Sequence, residues 1–341
     1  MSFTSITSAR VAVDLGTANT LIHLTGRGVV LEEPSFVRLR AGSRRVEAAG
    51  SDAKNGSGRT PPRCETVKPV RQGQVCDPEI CGRMLNAFLK KSGVHRPIRQ
   101  LLVVIAVPSG LTEIQEAAVV ESFRNNHVAG VFLTGQALAA ALGVGIPIEE
   151  SRGHMLVDVG AGVTEVAVIS LSNIVASRQV LVAGDEFDAT IEGHIRTAHH
   201  LLIGHATAER VKLEMSADAP GNGPNIIKAK GRCLTQGVPR EVSLTNSELT
   251  EALNAPIEQI LGAVRDVLNE TPPELSSDLV ESGIILTGGS AHLATLAGRI
   301  SADTGLAVRI AEQPRLSVIL GLARQLERLT ARDWRRFGHP L

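Results

Sequence analysis

The sequence contains no tyrosine, one tryptophan and seven phenylalanines, an aromatic content of 2%. Platforms that stack single-stranded bases need aromatic faces, so the composition argues against that mode of nucleic-acid binding. Neither sign of charge is in excess: Lys plus Arg and Asp plus Glu each number 35, so no global field steers the chain toward nucleic acid. The four cysteines, Cys64, Cys76, Cys81 and Cys233, form no C-x-x-C pair and no disulfide-framework spacing. Reduced thiols of a cytosolic protein are expected. No apolar run reaches the ~18 residues of a spanning helix. The first ten residues lack the basic start and apolar core of a signal peptide. A cytoplasmic location is expected, with any membrane contact peripheral.

What is present suits a globular protein of two lobes. The chain has 341 residues, 43% of them apolar and 21% charged, enough for two separate cores. Arg10–Leu24 reads as a strand, a tight turn at Gly16-Thr-Ala-Asn19 and a second strand. Gly-, Ser- and Pro-rich sequence from Gly42 to Arg63 predicts a loop-rich subdomain. Pro78–Lys91 carries Ile80, Met84, Leu85, Phe88 and Leu89 on one helical stripe. Leu101–Val107 is a continuous apolar run, as in a strand buried on both faces. A helix is expected over Thr112–Asn125, a strand over Val128–Leu133 and an Ala-rich helix over Gln136–Leu142.

The opening design then recurs. His154-Met-Leu-Val-Asp158-Val-Gly160-Ala-Gly162-Val-Thr164 again runs strand, Asp, Gly-rich turn, strand, and Asp158 lies 144 residues after Asp14. A repeated half of that size predicts two similar α/β lobes rather than a solenoid. A third turn, Gly288-Gly289-Ser290-Ala291, follows a short apolar strand and is expected to open a helix. Between lie a helix-rich stretch at Asp185–Met215, a hairpin at Pro220–Leu244 and one helix over Asn246–Asn269.

These turns suit a phosphorylated ligand. Glycine lets backbone N–H groups approach phosphate oxygens without a Cβ clash. Thr17, Ala18 and Asn19 in one turn, with Gly160, Ala161 and Gly162 in the other, are the candidate donors. Asp14 and Asp158 end their strands, where carboxylates can hold Mg²⁺ through water. A single Asp-x-Gly turn is more often an ordinary β-turn; two matched copies and a third Gly-Gly turn reverse that judgement. No G-x-x-x-x-G-K-[ST] and no G-x-G-x-x-G in the first turn occur, which sets aside the P-loop and dinucleotide folds.

Val13-Asp-Leu-Gly-Thr-Ala-Asn-Thr-Leu21 resembles the first phosphate motif of the MreB family, within the actin–Hsp70–sugar kinase superfamily. Leu31-Glu-Glu-Pro-Ser35, Val107-Pro-Ser-Gly110 with Thr112-Glu113, Thr164–Leu171, Ala183-Gly-Asp-Glu186 and Thr271–Leu275 are similar to the family in the same order. The likeness runs from about Val11 to Glu327. It implies an α/β actin-like fold: two ribonuclease-H-like lobes, each with a small inserted subdomain, around a cleft that binds ATP and Mg²⁺. Lobe I would span 1–145, with core 1–31 and 70–145 and a small subdomain at about 32–69. Lobe II would span 146–330, with core 146–182 and 246–315 and a small subdomain at about 183–245. Residues 316–330 would return to lobe I, and 331–341 would form a basic-aromatic tail.

By position, the resemblance implies Asp14 and Asp158 as metal ligands and Thr17, Ala18, Asn19, Gly160, Ala161 and Gly162 as phosphate contacts. Glu209 and Lys212, within Glu209-Arg210-Val211-Lys212, would approach ribose and base. Gly288, Gly289, Ser290 and Ala291 would close over the adenosine. It further implies head-to-tail filaments that organise cell-wall synthesis at the inner membrane face. The implied partners are further copies of the chain, other MreB-family filaments and the elongation machinery.

The sequence departs from the family at informative places. Gln136 stands where a glutamate usually orients the attacking water. A Gln amide can position water but cannot serve as a carboxylate base, so slow hydrolysis is expected, with Gln136 and Asp158 as the catalytic candidates. Ala161 and Val163 replace Gly and Thr, and Ser290 replaces a third Gly. The segment Lys91-Ser-Gly-Val-His-Arg-Pro97 is short and polar where some relatives carry a hydrophobic membrane loop. Arg332-Asp-Trp-Arg-Arg-Phe337 offers basic residues beside aromatics, suited either to an anionic membrane surface or to packing on a lobe. His194, His199, His200 and His205 have helical spacing, but no carboxylate or cysteine set accompanies them in the sequence, so a metal role is not expected. Three functions follow in order: a polymerising ATPase, a non-hydrolysing scaffold beside another filament, and a small-molecule kinase of the same superfamily.

Overall fold

The computed structural model describes residues 9–56, 63–94, 101–124, 126, 128–217, 226–293 and 295–341. Two compact units emerge, one from Met1–Glu150, Leu171–Asn173 and Arg315–Leu341, the other from Ser151–Ser170 and Ile174–Pro314.

The first unit opens with strands β1 (Ala9–Leu15), β2 (Asn19–Leu24) and β3 (Gly28–Pro34). Strands β4 (Val37–Arg40), β5 (Val46–Ala49) and β6 (Cys64–Val67) make a small sheet; only β5 and the short helix α1 (Ser51–Lys54) fall within Gly42–Arg63, the stretch predicted to be loop-rich, which β4 and β6 flank. A tight hairpin, β7 (Val70–Arg71) and β8 (Gln74–Val75), turns through Gln72 and Gly73, both at positive φ, as a two-residue hairpin loop of this kind requires. Helix α2 (Pro78–Lys91) has the predicted bounds: Asp77 caps it, Pro78 starts it, and the predicted apolar stripe is buried. Strand β9 (Leu101–Val107) is buried along its whole length.

Helix α3 (Glu113–Glu121) starts where expected, with Thr112 as its N-cap in a full capping box, but is shorter than expected. Beyond it, Phe123 and Arg124 donate to carbonyls three residues back, a tightened terminal turn; Asn125 lies outside the described residues. Strand β10 (Val128–Gly135) and helix α4 (Gln136–Gly143) complete this stretch.

The second unit repeats the plan with β11 (His154–Val159), β12 (Thr164–Ser170) and β13 (Asn173–Val180). Helix α5 (Gly184–Ala198), strand β14 (Leu201–Leu202), helix α6 (His205–Ala217) and the hairpin β15 (Ile226–Cys233)–β16 (Pro239–Thr245) follow. The predicted start of that hairpin, Pro220, lies outside the described residues.

The expected single helix over Asn246–Asn269 is two helices, α7 (Asn246–Ala252) and α8 (Asn254–Glu270). Pro256 explains the break, because it cannot donate to the carbonyl of Ala252 and its ring would clash there. Helix α9 (Pro273–Ser282), strand β17 (Ile284–Thr287), helix α10 (Leu296–Thr304) and strand β18 (Val308–Ile310) finish the unit. The chain then returns to the first unit as α11 (Ser317–Arg328), α12 (Ala331–Phe337) and β19 (His339–Pro340).

The strand orders state the duplication plainly. The first sheet runs β19-β10-β9-β1-β2-β3 and the second β13-β12-β11-β17-β18. Reading β11, β12 and β13 for β1, β2 and β3, and β17 and β18 for β9 and β10, makes the five-strand orders the same. Parallel pairing of β1 with β9 is matched by that of β11 with β17. In each unit the central strand is flanked by others and carries apolar residues at or near zero exposure, Val11, Ala12 and Val13 in β1 and Met155, Leu156, Val157 and Val159 in β11. That burial fixes where its terminal Asp and the following turn emerge.

The tail packs on the first unit. Trp334 is 1% exposed and meets Phe132 edge-on, with ring centroids 5.9 Å apart. β19 pairs antiparallel with β10. Burial removes Trp334 from any membrane-facing role; the Phe337 side chain lies outside the described residues, as do His95, Arg96 and Pro97. Among the described residues no helix is long and apolar enough to cross a membrane.

Candidate functional site

The first turn is closed by a backbone bond from Gly16 N–H to the Asn19 carbonyl, 3.0 Å. A Cβ on Gly16 would sit 2.8 Å from that same oxygen, so only glycine fits. The turn's carbonyls are tied inward. Ser35 donates from its hydroxyl to the Gly16 carbonyl (2.7 Å) and from its N–H to the Ala18 carbonyl (2.8 Å). Thr20 and Ser35 hydroxyls lie 2.9 Å apart, both fully buried. The Thr17 hydroxyl accepts from Gly73 N–H at 3.0 Å, so the β7–β8 hairpin braces the turn. Among the described residues, the N–H groups of Thr17 and Ala18 have no acceptor. Thr17 is only 5% exposed, and a buried N–H without a partner is costly unless a ligand supplies one.

The second turn has the same construction. Gly160 N–H donates to the Val163 carbonyl at 3.0 Å, and a Cβ on Gly160 would lie 3.1 Å from it. Its carbonyls are tied inward by different partners: Gly184 N–H (3.2 Å) and the Ser290 hydroxyl (2.9 Å) on Gly160, and Asp185 N–H (2.7 Å) on Ala161. The N–H groups of Ala161 and Gly162 again have no acceptor among the described residues. Neither Ala161 nor Ser290 adopts positive φ, so both replacements of glycine fit their backbones. Asp14 pairs with Leu21 across β1–β2, and Asp158, 2% exposed, with Glu165 across β11–β12.

The third turn packs against the second. Gly288 has φ +92°, and a Cβ there would meet the Val159 carbonyl at 2.3 Å and Asp158 Oδ1 at 2.5 Å. Ser290 N–H donates to the Val159 carbonyl, 2.9 Å. Contrary to expectation, Gly288–Ala291 does not open a helix; it winds through irregular turns and α10 begins only at Leu296. The reason is Gly288 itself, whose positive φ bends the chain toward β11 rather than into a right-handed helix.

Along α6 the four candidates separate. Lys212 lies beside the second turn, its Nζ 2.9 Å from the Gly184 carbonyl and 2.8 Å from Asp188 Oδ2. Burial pushes the Asp188 carboxyl above its usual range, opposed by the Lys212 charge and then that of His205. Glu209 is half-buried one turn away and also acts on Asp188. Val211 is fully buried in the core, whereas Arg210 bonds to the Lys228 carbonyl and pairs with Glu214. In the first unit, Gln136 starts α4, whose N-cap is Gly135 without a side-chain cap.

Sequence reasoning missed the supports. Ser35 and Gly73 hold the first turn from 19 and 56 residues beyond the residues they bond, Gly16 and Thr17. Ser35 belongs to the Leu31–Ser35 segment whose likeness to the family was visible, but its bond to Gly16 was not. Gly184 lies where a Cβ would approach Ser290 Oγ at 2.8 Å and Lys212 Nζ at 3.3 Å, making it the packing point of the second and third turns.

Two units of one strand order, each with a Gly-closed turn after a central strand, define a protein of the actin-like class. The model of the MreB/Mbl protein family matches residues 8–333, and the chain belongs to that family. It is 42% identical to the cell shape-determining protein MreB of Escherichia coli K12 over 332 residues, 95% of each chain. It is 36% identical to the cell shape-determining protein Mbl of Bacillus subtilis over 319 residues, 94% of this chain and 96% of that one. Among solved structures, MreB5 of Spiroplasma citri bound to ADP superposes with TM-score 0.90 at 30% identity, covering 96% of this chain and 99% of that one. The MamK double helical filament shares the fold, with TM-score 0.77 at 19% identity and 94% and 100% coverage.

Proposed function

We propose that this chain binds ATP and assembles into actin-like filaments that act in cell-shape determination and in organising cell-wall synthesis. The observation that carries this reading is the pair of matched turns, closed by Gly16 and Gly160, with N–H donors left open at Thr17, Ala18, Ala161 and Gly162. Triphosphate oxygens are the acceptors such donors suit. Relatives named for cell shape, and a neighbour solved with ADP, support the same reading.

In this proposal Asn19 and Gly160 join the phosphate contacts, and Glu209 and Lys212 flank the ribose and base. Arg210 and Val211 support that helix rather than touch the nucleotide. Gly288, Gly289, Ser290 and Ala291 line the adenosine. Asp14 and Asp158 offer hard carboxylate oxygens of the kind Mg²⁺ takes, directly or through water; when bound, the ion would offset phosphate charge. Gln136 orients the attacking water without accepting its proton, so hydrolysis is slow. The partners are further copies of the chain, other MreB-family filaments and the elongation machinery, at the inner face of the membrane. The second reading, a nucleotide-bound scaffold that does not hydrolyse, is favoured by the same Gln136.

Sedimentation with electron microscopy, run with ATP, with ADP and without nucleotide, tests the proposal. ATP-dependent filaments lost in Asp14→Ala support the cytoskeletal reading. Nucleotide binding without assembly turns it to the scaffold, and no binding at all overturns both.

A further inference from the structure

Helices α5 and α7 are tied together by three side chains. His194 lies in the last turns of α5, His199 is its C-cap residue, and Glu248 is the third residue of α7. Glu248 Oε1 is 2.7 Å from His194 Nε2 and 2.5 Å from His199 Nε2. The rings stand edge-on, centroids 6.2 Å apart, and the three side chains are each about a quarter exposed. The helical spacing of the histidines named no carboxylate as their partner, because Glu248 lies outside their stretch of chain. The fold supplies one from some fifty residues downstream.

The arrangement is held from both sides. Thr245 caps α7, its hydroxyl accepting from Glu248 N–H at 3.2 Å. A glutamate in that position ordinarily reaches back to the cap's own N–H; here its carboxylate engages the two imidazoles instead. On the other side, His199 N–H donates to the Ile195 carbonyl (3.1 Å), and His200 turns to φ +51° while its carbonyl accepts from Leu234 N–H (2.8 Å). The end of α5 therefore cannot swing freely, and its exposed carbonyls favour positive charge. Burial alone would raise the Glu248 pKa, but hydrogen bonds from His194 and His199 outweigh it and hold the carboxyl below its usual range.

Two imidazole nitrogens and a carboxylate oxygen are a zinc ligand set. We propose that His194, His199 and Glu248 bind one divalent transition-metal ion of the zinc class, which fastens the end of α5 to the start of α7. Ligand atoms around a tetrahedral zinc lie about 3.3 Å apart, given bonds of about 2.0–2.1 Å. The carboxylate oxygen needs to withdraw by under about 1 Å from each nitrogen, within reach of a side-chain rotation. Partial exposure leaves the fourth position to water. A second His–carboxylate group among the described residues, Asp185, Asp188 and His205, differs in already holding a cation, the Lys212 ammonium beside Asp188. The proposal is independent of the nucleotide reading.

The test uses the full chain, stripped with a chelator and titrated with Zn²⁺ against a chromophoric competitor. One equivalent is expected to bind. His194→Gln and Glu248→Gln should each weaken it at least about tenfold, with His200→Gln and His205→Gln unchanged. Co²⁺ in the same site should show tetrahedral d–d absorption without a thiolate charge-transfer band, which separates it from binding at Cys233. Zn²⁺ should raise the melting temperature of the wild type and not that of Glu248→Gln. Circular dichroism checks each variant, and if His194→Gln misfolds, Glu248→Gln, which keeps its size and its backbone cap, decides. No bound equivalent, or binding that survives Glu248→Gln, overturns the proposal and leaves a plain His–Glu–His hydrogen-bond cluster.

Discussion

Gly143 and Gly321 meet where α4 and α11 cross, with no room for a single added carbon on either. A Cβ on Gly321 would lie 1.6 Å from the Ala139 carbonyl oxygen and 2.9 Å from Gly143 N. A Cβ on Gly143 would lie 1.7 Å from the Ser317 carbonyl oxygen. The two helices touch backbone to backbone, and α4 carries Gln136 at its start. Gly321→Ala is expected to cost about 3 kcal/mol or more, since the clash is with backbone that cannot rotate away. Thermal unfolding should show a drop of several degrees, and an unchanged midpoint would mean the helices slide apart easily.

Gly288 answers to two constraints, its φ of +92° and the 2.5 Å approach of a Cβ to Asp158 Oδ1. Gly288→Ala should displace the carboxylate proposed to hold Mg²⁺ and reduce ATP affinity at least tenfold. Ser290→Gly removes one hydroxyl bond to Gly160, worth about 1 kcal/mol, and should reduce affinity only a few-fold. Fluorescent-nucleotide titration of the pair gives the comparison; equal effects would contradict it.

Lys212→Ala strands the buried carboxylate of Asp188. Removing one partner of a buried pair costs about 3–5 kcal/mol. The folded-state pKa of Asp188 is already raised, so its ionisation opposes folding. Stability held by the protonated form is complete below the unfolded value of 3.8 and is lost as pH rises through the folded one. Losing Lys212 raises that pKa further. The gap between wild type and variant should therefore narrow as pH falls toward 4 and widen above it. Asp188→Asn added to Lys212→Ala should recover most of the loss in denaturant melts at neutral pH.

Trp334 is the only tryptophan, so its fluorescence reports on the tail alone. Buried against Phe132, it should emit in the blue, resist acrylamide quenching and remain unchanged when anionic vesicles are added. A shift on adding vesicles would restore the membrane role that the burial removes.

Gln136→Ala should leave ATP binding within a few-fold and lower hydrolysis by about 10²-fold, the scale of a lost positioning group. Phosphate release under single turnover measures it. If wild type and variant release phosphate equally slowly, Gln136 has no part in hydrolysis and the scaffold reading gains.

Much was legible in the chain because it depends on local pattern. The bounds of α2 follow from Asp77, Pro78 and an apolar stripe, and β9 follows from seven consecutive apolar residues. The duplicated Asp-and-glycine turns were visible because each is encoded within about a dozen residues. The failures were equally physical. Pro256 divides a helix that periodicity alone runs together, and the positive φ of Gly288 delays α10.

By itself, then, the sequence determined the repeated strand–turn–strand units, the helices with strong caps and the family likeness, since all three reside in contiguous residues. Only the tertiary structure decided which distant groups complete them. Ser35 and Gly73 brace the first turn, Gly184 and Ser290 brace the second, Trp334 is turned inward, and Glu248 is set between His194 and His199. These partners are separated by tens of residues or more, and no periodicity records a hydrogen bond that exists only after two elements have packed.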